Sequence, residues 1–368
     1  MSLTKLLSAN TLLTHQIPIA KSELVDINGR QVTSNWWKQS IRVPSIGNPP
    51  ETSRLGTAFD YLARAILENK VGTVHAHRGP WVAKQGLVLL LHALGIADDL
   101  IEQGVAVTPV AANSPSPSAT MLLAQWKRAG TVFRPVEVTD AKTSNHALIQ
   151  ERREGWKLAC QHNSAIYEVL VKNWREAVDM HDRFVLGNAS VEQYAHSALF
   201  LASLEVVWRS RSVDVLDVAF KHIQSGRHSP GALFFSQNAT LSEEQLVQNL
   251  VALSEVFQRA ISSWAIANIC CNPVFGKHSN VVGGADADVI CDETLIDFKT
   301  QNKLVWRSKD WAQLCGYASF ALDLGWPIRR IGIYYGRFGV PVFWEVTPQR
   351  VVLLDNYRQL IYEVASRK

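Results

Sequence analysis

The stretch from Gly283 to Thr300 constrains the fold of this chain more than any other stretch. Two runs of strand-forming residues, 286–291 and 294–300, flank the two-residue step Asp292-Glu293. Such a short polar step between alternating apolar runs is typical of a tight β-hairpin. We therefore predict two antiparallel strands whose pairing can be counted outward from the turn.

The predicted pairing brings charged side chains together. With the turn at residues 292 and 293, Asp288 lies opposite Asp297 and Asp286 lies opposite Lys299. The period of two along a strand places these four residues on one face of the hairpin. The other face is then apolar and is expected to belong to the core, with Ala287, Val289, Cys291, Ile296 and Phe298.

Directly opposed carboxylates have Cβ atoms roughly 5 Å apart, so Asp288 and Asp297 repel each other unless a cation lies between them. A hard divalent cation reverses that cost, because it prefers carboxylate, carbonyl and water oxygens as ligands. The chemistry that this arrangement indicates is metal-assisted attack by water, with Lys299 steadying the water or the developing charge.

The run Asp288 … Asp297-Phe298-Lys299 resembles the signature of the PD-(D/E)XK nuclease superfamily, an acid on one strand and then acid-any-Lys on the next. Downstream, residues 309–324 predict a helix on which Gln313 and Tyr317, four residues apart, share a face. This pair resembles the QxxxY motif of the RecB-like and lambda-exonuclease-like branch of that superfamily.

A third motif lies upstream, in residues 53–62. It resembles the first helix of the same branch, in which a glycine precedes a histidine by four residues. Here Gly56 is followed by Asp60. An aspartate can still ligate a hard metal. The three motifs stand in the order that the branch has.

The resemblance implies a metal-dependent nuclease that hydrolyses phosphodiester bonds, with DNA as the expected substrate. Mg²⁺ or Mn²⁺ would be held by Asp288, Asp297 and the Phe298 carbonyl, with Asp60 completing the ligands. Lys299 would orient the attacking water. Gln313 and Tyr317 would hold the scissile strand or support the metal ligands.

The same resemblance has implications for the cellular role and for the cofactors. RecB-like nucleases occur in repair, in CRISPR adaptation and in defence against phage. Some of them carry an iron–sulfur cluster with three cysteines beyond the QxxxY helix. No cysteine follows Cys315 here, so we expect no cluster.

The amino-acid composition limits the class of protein to which the chain can belong. The chain has 368 residues, 47% of them apolar and 19% charged, which is typical of a soluble globular protein with a large core. The net charge of +4 permits a nucleic-acid partner. Five cysteines without CxxC spacing indicate reduced thiols and a cytoplasmic location. There is no signal-peptide pattern and no apolar run of membrane-spanning length, so we expect no membrane partner.

The predicted organisation has four parts. Residues 1–46 form an N-terminal extension that Trp36-Trp37 dock onto the body, and residues 47–70 form the first helix of the nuclease core. Residues 71–240 form a helical insertion or lobe, a candidate surface for a protein partner, and residues 241–368 complete the core. Three strands, a helix and two strands in the last part predict an α/β, restriction-endonuclease-like fold whose mixed central sheet is flanked by helices.

Alternatives stay open for each residue. Asp288, Asp297 and Lys299 could be solvated charges on an open sheet face, a description that fits Asp286 best. Gln313 and Tyr317 could be packing residues. Asp60 could be a surface acid near a helix start.

Basic residues and tryptophans near the motifs could bind a nucleic acid or be ordinary surface and core residues; they are Lys303, Arg307, Lys309, Arg329, Arg330, Arg337, Trp306 and Trp311. Two other functions stay open as well, a nuclease-fold DNA-binding module and an interaction protein that acts as a partner-regulated effector.

Overall fold

The computed structural model describes residues 3–78, 81–93, 121–127, 131–138, 165–210, 241–282 and 284–367. The helices are α1 Leu3–Ala9, α2 Thr11–His15, α3 Pro49–Val71, α4 Val82–Ala93, α5 Ala165–Val185, α6 Val191–Ser210, α7 Glu243–Ile261, α8 Lys277–Val282, α9 Ser308–Asp323 and α10 Pro348–Ser366. The strands are β1 Ala76–Arg78, β2 Met121–Lys127, β3 Thr131–Val138, β4 Ile269–Cys271, β5 Val289–Cys291, β6 Thr294–Lys299, β7 Arg330–Tyr335 and β8 Val340–Glu345.

The chain forms two compact units. The sheet unit comprises Met1–Ser45, Ala63–Gly79 and Ala252–Lys368, and the helical unit comprises Ile46–Leu62 and Pro80–Val251. Much of the predicted helical block, residues 71–240, lies outside the described residues. In the ranges that are described, no helix is both long and apolar enough to cross a membrane.

The sheet unit contains a mixed six-stranded sheet. Its strand order is β1-β4-β5-β6-β7-β8, with β1 parallel to β4, β6 parallel to β7, and the other neighbours antiparallel. This confirms the predicted α/β class with a mixed sheet flanked by helices. Strand β1 comes from a stretch assigned above to the helical block, so the sheet has one strand more than the sequence pattern predicted.

The hairpin forms with the predicted register. Its paired residues are Cys291 with Thr294, Ile290 with Leu295, and Val289 with Ile296. Asp292 adopts a left-handed φ of 48°, a conformation that Asp tolerates better than most side chains. The Asp292 carboxylate accepts hydrogen bonds from the backbone N–H groups of Ala267 and Asn268, which fixes the turn to the chain before β4.

Strands β5 and β6 separate beyond the third pair. Before Val289 the chain follows the continuation of β4 instead: Ala287 N–H donates to the Pro273 carbonyl, and Asp286 forms an isolated bridge with Val274. The predicted pairing of Asp286 with Lys299 is therefore not formed. Asp288 and Asp297 remain next in register, at the point where the two strands part.

Both faces of the sheet are buried. The Phe298 ring contacts Phe257 of α7 on one face, with ring centroids 5.6 Å apart. Residues of the other face belong to an apolar cluster with α1, α9 and α10; they are Ile290, Leu295, Ile331, Ile333, Tyr335, Val342 and Trp344. Asp297 shares this second face, because it lies two residues after Leu295 along β6. Asp297 is 4% exposed and is therefore not a solvated charge on an open sheet face, whereas Asp286 and Asp288 are half-buried.

The N-terminal residues are part of the sheet unit. Leu3, Leu6 and Leu7 of α1 are buried in the same apolar cluster, and Val25 forms an antiparallel bridge with Phe343 of β8. Trp36-Trp37 pack against the sheet, as the sequence predicts for the docking of this segment.

The close approach of β7 and β8 depends on Gly332. A Cβ at this position would lie 2.3 Å from Cδ1 of the buried Phe343 ring and 2.9 Å from the Val342 carbonyl oxygen. We expect Gly332→Ala to lower the free energy of unfolding by about 1–3 kcal/mol through overpacking, measured by urea denaturation. The double variant Gly332→Ala, Phe343→Leu should recover part of this loss. Equal stability of Gly332→Ala and the unmodified protein would contradict the close approach.

In the helical unit, an ion pair connects α6 to α7. His196 Nδ1 lies 2.7 Å from Glu243 Oε1. The hydrogen bond with Glu243 is the main cause that raises the pKa of His196 above its ordinary 6.5; partial burial opposes it, and the charges of Glu243, Glu244 and Glu192 add to it.

Because the folded-state pKa is raised, the stabilisation by this pair is fully present below pH 6.5 and is lost as the pH rises through the folded-state pKa. We expect the melting temperature to decrease as the pH rises through the folded-state pKa of His196. Both His196→Gln and Glu243→Gln should abolish this decrease. An unchanged pH dependence in the two variants would assign the effect to other groups.

Candidate active site

The centre of the predicted site is a buried ion pair on β6. Asp297 Oδ2 lies 2.6 Å from Lys299 Nζ. Asp297 is only 4% exposed, and the Lys299 side chain is 24% exposed at the end of the strand. The two residues are two positions apart and therefore point to the same side of the sheet. The sequence prediction that places their side chains beside each other is confirmed.

Asp288 bridges the gap that opens between β5 and β6. Its Oδ2 accepts a hydrogen bond of 2.6 Å from the backbone N–H of Phe298. In a continued antiparallel ladder that N–H would donate to the carbonyl of Ala287, because the two residues would form a hydrogen-bonded pair. A carboxylate thus replaces a backbone acceptor, which brings a second negative charge to the residue that follows Asp297.

The surroundings change the ionisation of both members of the pair. Burial is the main cause that raises the pKa of the Asp297 carboxyl to about 7; Lys299 lowers it, and the charges of Asp288 and Asp310 raise it further. Burial alone would lower the pKa of the Lys299 ammonium, but the carboxylates of Asp297, Asp310 and Asp288 outweigh burial and raise it above its usual range. Lys299 therefore remains a cation next to Asp297.

Asp310, in the first turn of α9, is a site residue that the sequence analysis missed. Its charge acts on both Asp297 and Lys299. Its Oδ2 is closed off from solvent and has no hydrogen-bond partner in the part of the chain that the structure describes. A signal was present, because Asp310 precedes Gln313 by three residues and Tyr317 by seven, the spacing of one helix face.

Tyr335 of β7 lies directly opposite Lys299 in the parallel β6–β7 pairing. Its hydroxyl donates to the Val305 carbonyl at 3.4 Å, and Trp36 and Trp37 meet its ring edge-on at 6.5 and 6.1 Å. Burial is the main cause that raises the pKa of the Tyr335 phenol, so this residue stays neutral beside the charged pair. The N-terminal segment thus closes one side of the site with aromatic rings.

Gln313 and Tyr317 lie on one face of α9, as their spacing predicts. Gln313 Nε2 donates to the Tyr317 hydroxyl at 2.6 Å and to Thr4 Oγ1 of α1 at 3.1 Å. The buried Tyr317 ring stacks on Phe275 at 5.6 Å. Here the two side chains bond to each other and to α1, so contact with a nucleic-acid strand requires α1 to move. Their assignment to substrate stays a prediction.

Asp60, the expected additional ligand, lies on α3 in the portion that belongs to the helical unit. Its assignment to the site stays a prediction.

Of the basic residues, Lys303, Arg307 and Lys309 are exposed in the segment that leads from β6 into α9. Arg337 is fully buried, and its guanidinium donates to the carbonyls of Thr300, Val43 and Pro44. Arg337 is therefore a structural residue and does not present its charge to a ligand. Arg329 and Arg330 lie at the start of β7, the end of that strand away from Tyr335.

The donors at this site fit Mg²⁺ or Mn²⁺ in charge and chemistry. The carboxylates of Asp288, Asp297 and Asp310 face one ammonium, which leaves two excess negative charges when all three are ionised. No group of three His, Cys, Asp or Glu side chains within the described ranges is arranged to hold a metal ion. That result is compatible with Mg²⁺, which keeps several waters and commonly uses one or two carboxylates together with substrate phosphates.

Comparisons with known proteins add no family assignment. No protein-family model matches the chain, and no match was found among curated proteins or solved structures. The resemblance to PD-(D/E)XK nucleases therefore depends on the sequence motifs and stays a prediction.

Two Lys–Asp pairs of the sheet unit allow a comparison. They differ in burial, and Asp323 also pairs with His278 and Arg358, which remain when Lys277 is replaced. Lys299→Met leaves the buried Asp297 without its partner, and we expect a loss of about 3–5 kcal/mol in the free energy of unfolding. Lys277 Nζ lies 3.1 Å from Asp323, but its side chain is 71% exposed, so Lys277→Met should cost about 0–1 kcal/mol. Chemical denaturation measures both. Equal losses in the two variants would contradict the burial of the Asp297–Lys299 pair.

Proposed function

We propose that this chain is a metal-dependent nuclease that hydrolyses phosphodiester bonds of DNA. The observation that carries the proposal is the buried Asp297–Lys299 pair, with the carboxylates of Asp288 and Asp310 acting on it. Burying this much negative charge costs stability unless a cation compensates it. Strongly perturbed ionisable groups that gather in this way are typical of functional sites.

The ligands we propose are the carboxylates of Asp288 and Asp297 and the Phe298 carbonyl. Asp288 uses one oxygen for the Phe298 N–H, and its second oxygen is the one proposed for the cation. A bound Mg²⁺ or Mn²⁺ would lower the pKa of a coordinated water and stabilise charge on the phosphoryl oxygens.

Lys299 supplies the second part of the proposed chemistry. It is a compact cation on a flexible stem, with three donor protons that can reach a water or a phosphoryl oxygen. The neighbouring carboxylates keep the ammonium protonated, so in this role it orients the water and does not remove its proton. Tyr335 lies opposite Lys299 and excludes solvent with the two tryptophan rings.

DNA is proposed as the substrate because of the exposed charges next to the site. Lys303, Arg307 and Lys309 follow β6 within ten residues of Lys299. Cationic side chains of this kind neutralise backbone phosphates without reading sequence. Repair and defence against phage are the cellular roles that we propose for this activity.

A second candidate function is a partner-regulated effector that shares the same site. The observation that favours it is the contact of Gln313 with Thr4, because α1 covers the face that the QxxxY motif would offer to substrate. In that case a partner protein would displace α1 before DNA could reach Gln313 and Tyr317.

Incubation of the purified protein with linear, circular and single-stranded DNA, with Mg²⁺ or Mn²⁺, tests the proposal. We expect hydrolysis that requires the cation and that falls about 100-fold or more in both Asp297→Asn and Lys299→Gln, because each removes a charge needed in the transition state. Asp323→Asn and Lys277→Met, from the exposed pair of the same unit, are matched controls that should keep full activity.

Hydrolysis that persists in Asp297→Asn and Lys299→Gln would assign the activity to another site or to a contaminant. Retained affinity for DNA without hydrolysis would contradict the nuclease and support a DNA-binding module. Hydrolysis only after a partner protein is added would support the effector.

A further inference from the structure

The position of the Lys299 ammonium conflicts with the role proposed for Asp297. Nζ lies 2.6 Å from Asp297 Oδ2, so the carboxylate proposed to hold the cation is already neutralised by a lysine. Two cations so close to one carboxylate repel each other strongly in a buried site. A divalent cation at Asp297 therefore either uses Oδ1 beside the ammonium or displaces Lys299 from Oδ2, and the repulsion between the two cations favours displacement.

A buried ammonium that leaves its partner needs another acceptor, because an uncompensated buried charge is strongly unfavourable. Lys299 has a flexible four-carbon stem and lies at the end of β6, where its side chain is partly exposed. It can therefore change partners without a change in the strand.

Asp310 has the properties of that second acceptor. It lies in the first turn of α9, the helix that covers this face of the sheet. Its charge acts on Lys299 and also on Tyr335, the residue directly opposite Lys299. Its Oδ2 is buried and has no hydrogen-bond partner among the described residues. Buried acceptors without a partner are rare in folded proteins, and one whose charge acts on a buried ammonium calls for a role.

We propose that Asp310 is the alternative partner of Lys299, and that the ammonium transfers from Asp297 to Asp310 when a divalent cation occupies Asp297. This inference rests on the proposed function for the presence of the cation. Asp310 is then a positioning residue. It holds Lys299 beside the metal ligands, where the ammonium can contact the attacking water, and it acts through Lys299 without ligating the metal itself.

Binding of Mn²⁺, measured by isothermal titration calorimetry without DNA, tests the exchange through a double-mutant cycle. Asp310→Asn should weaken Mn²⁺ binding about tenfold in the presence of Lys299. The same substitution should cost about twofold or less when Lys299→Gln has removed the ammonium that needs an acceptor. Lys299→Gln alone should bind Mn²⁺ more tightly than the unmodified protein. Asp323→Asn, at the other end of α9, is the control that should leave the affinity unchanged.

A second measurement does not require a Lys299 variant to fold. In protein with ¹³C- and ¹⁵N-labelled lysine, the Lys299 side-chain signals should shift when Mg²⁺ is added. Those of Lys277, whose partner is Asp323, should not shift. In Asp310→Asn the shift of Lys299 should differ from that in the unmodified protein, because the new partner is lost.

Three results would overturn the exchange: an equal loss of affinity from Asp310→Asn with and without Lys299, Lys299 signals that stay unchanged at saturating Mg²⁺, or no Mn²⁺ binding to the unmodified protein. The first would mean that Asp310 acts as a ligand or through its charge alone. Coupled Mn²⁺ binding without hydrolysis of any DNA would support the exchange and contradict the nuclease, so the two proposals fail separately.

Discussion

The ion pair between Asp297 and Lys299 is the interaction on which the account of this molecule depends. A carboxylate that is 4% exposed on the apolar face of a sheet would be strongly destabilising without the ammonium 2.6 Å away. Burial still raises the pKa of Asp297 to about 7. A purely structural pair of this kind could be replaced by apolar side chains at little cost. Two further carboxylates act on the pair, which is why we propose that a ligand uses this charge.

Much of the centre of the fold could be predicted from the hairpin alone. A two-residue turn fixes the register, and the register fixes which side chains share a face. The position of Asp288 and Asp297 next in register after the last formed pair could therefore be predicted by counting. The predicted pairing of Asp286 with Lys299 was wrong, because the strands separate beyond the Val289–Ile296 pair. Residues before Val289 follow the continuation of β4 instead. Alternation within one hairpin carries no information about a competing third strand. The burial of the acidic face was missed for a related reason, since it depends on where α9 and α10 pack.

The remaining parts of the site come from contacts that are distant in sequence. Gln313 donates a hydrogen bond to Thr4, and Tyr335 packs against Trp36 and Trp37. The N-terminal segment therefore borders a site whose other residues come from the last part of the chain. Asp310 was the residue most accessible to prediction, because it lies on the same helix face as Gln313 and Tyr317. It was overlooked because an acid in the first turn of a helix already has an ordinary explanation in the helix dipole.

The central claim is that the buried acidic side of the hairpin exists to hold a divalent cation. Crystal structures of the same protein grown with and without Mn²⁺, with anomalous scattering recorded at the manganese edge, test it most directly. We expect an anomalous peak at the Asp297 carboxylate, with Lys299 Nζ moved away from Oδ2 in the manganese form only. Lys299 held against Asp297 in both crystals, with no anomalous peak at the hairpin, would contradict it.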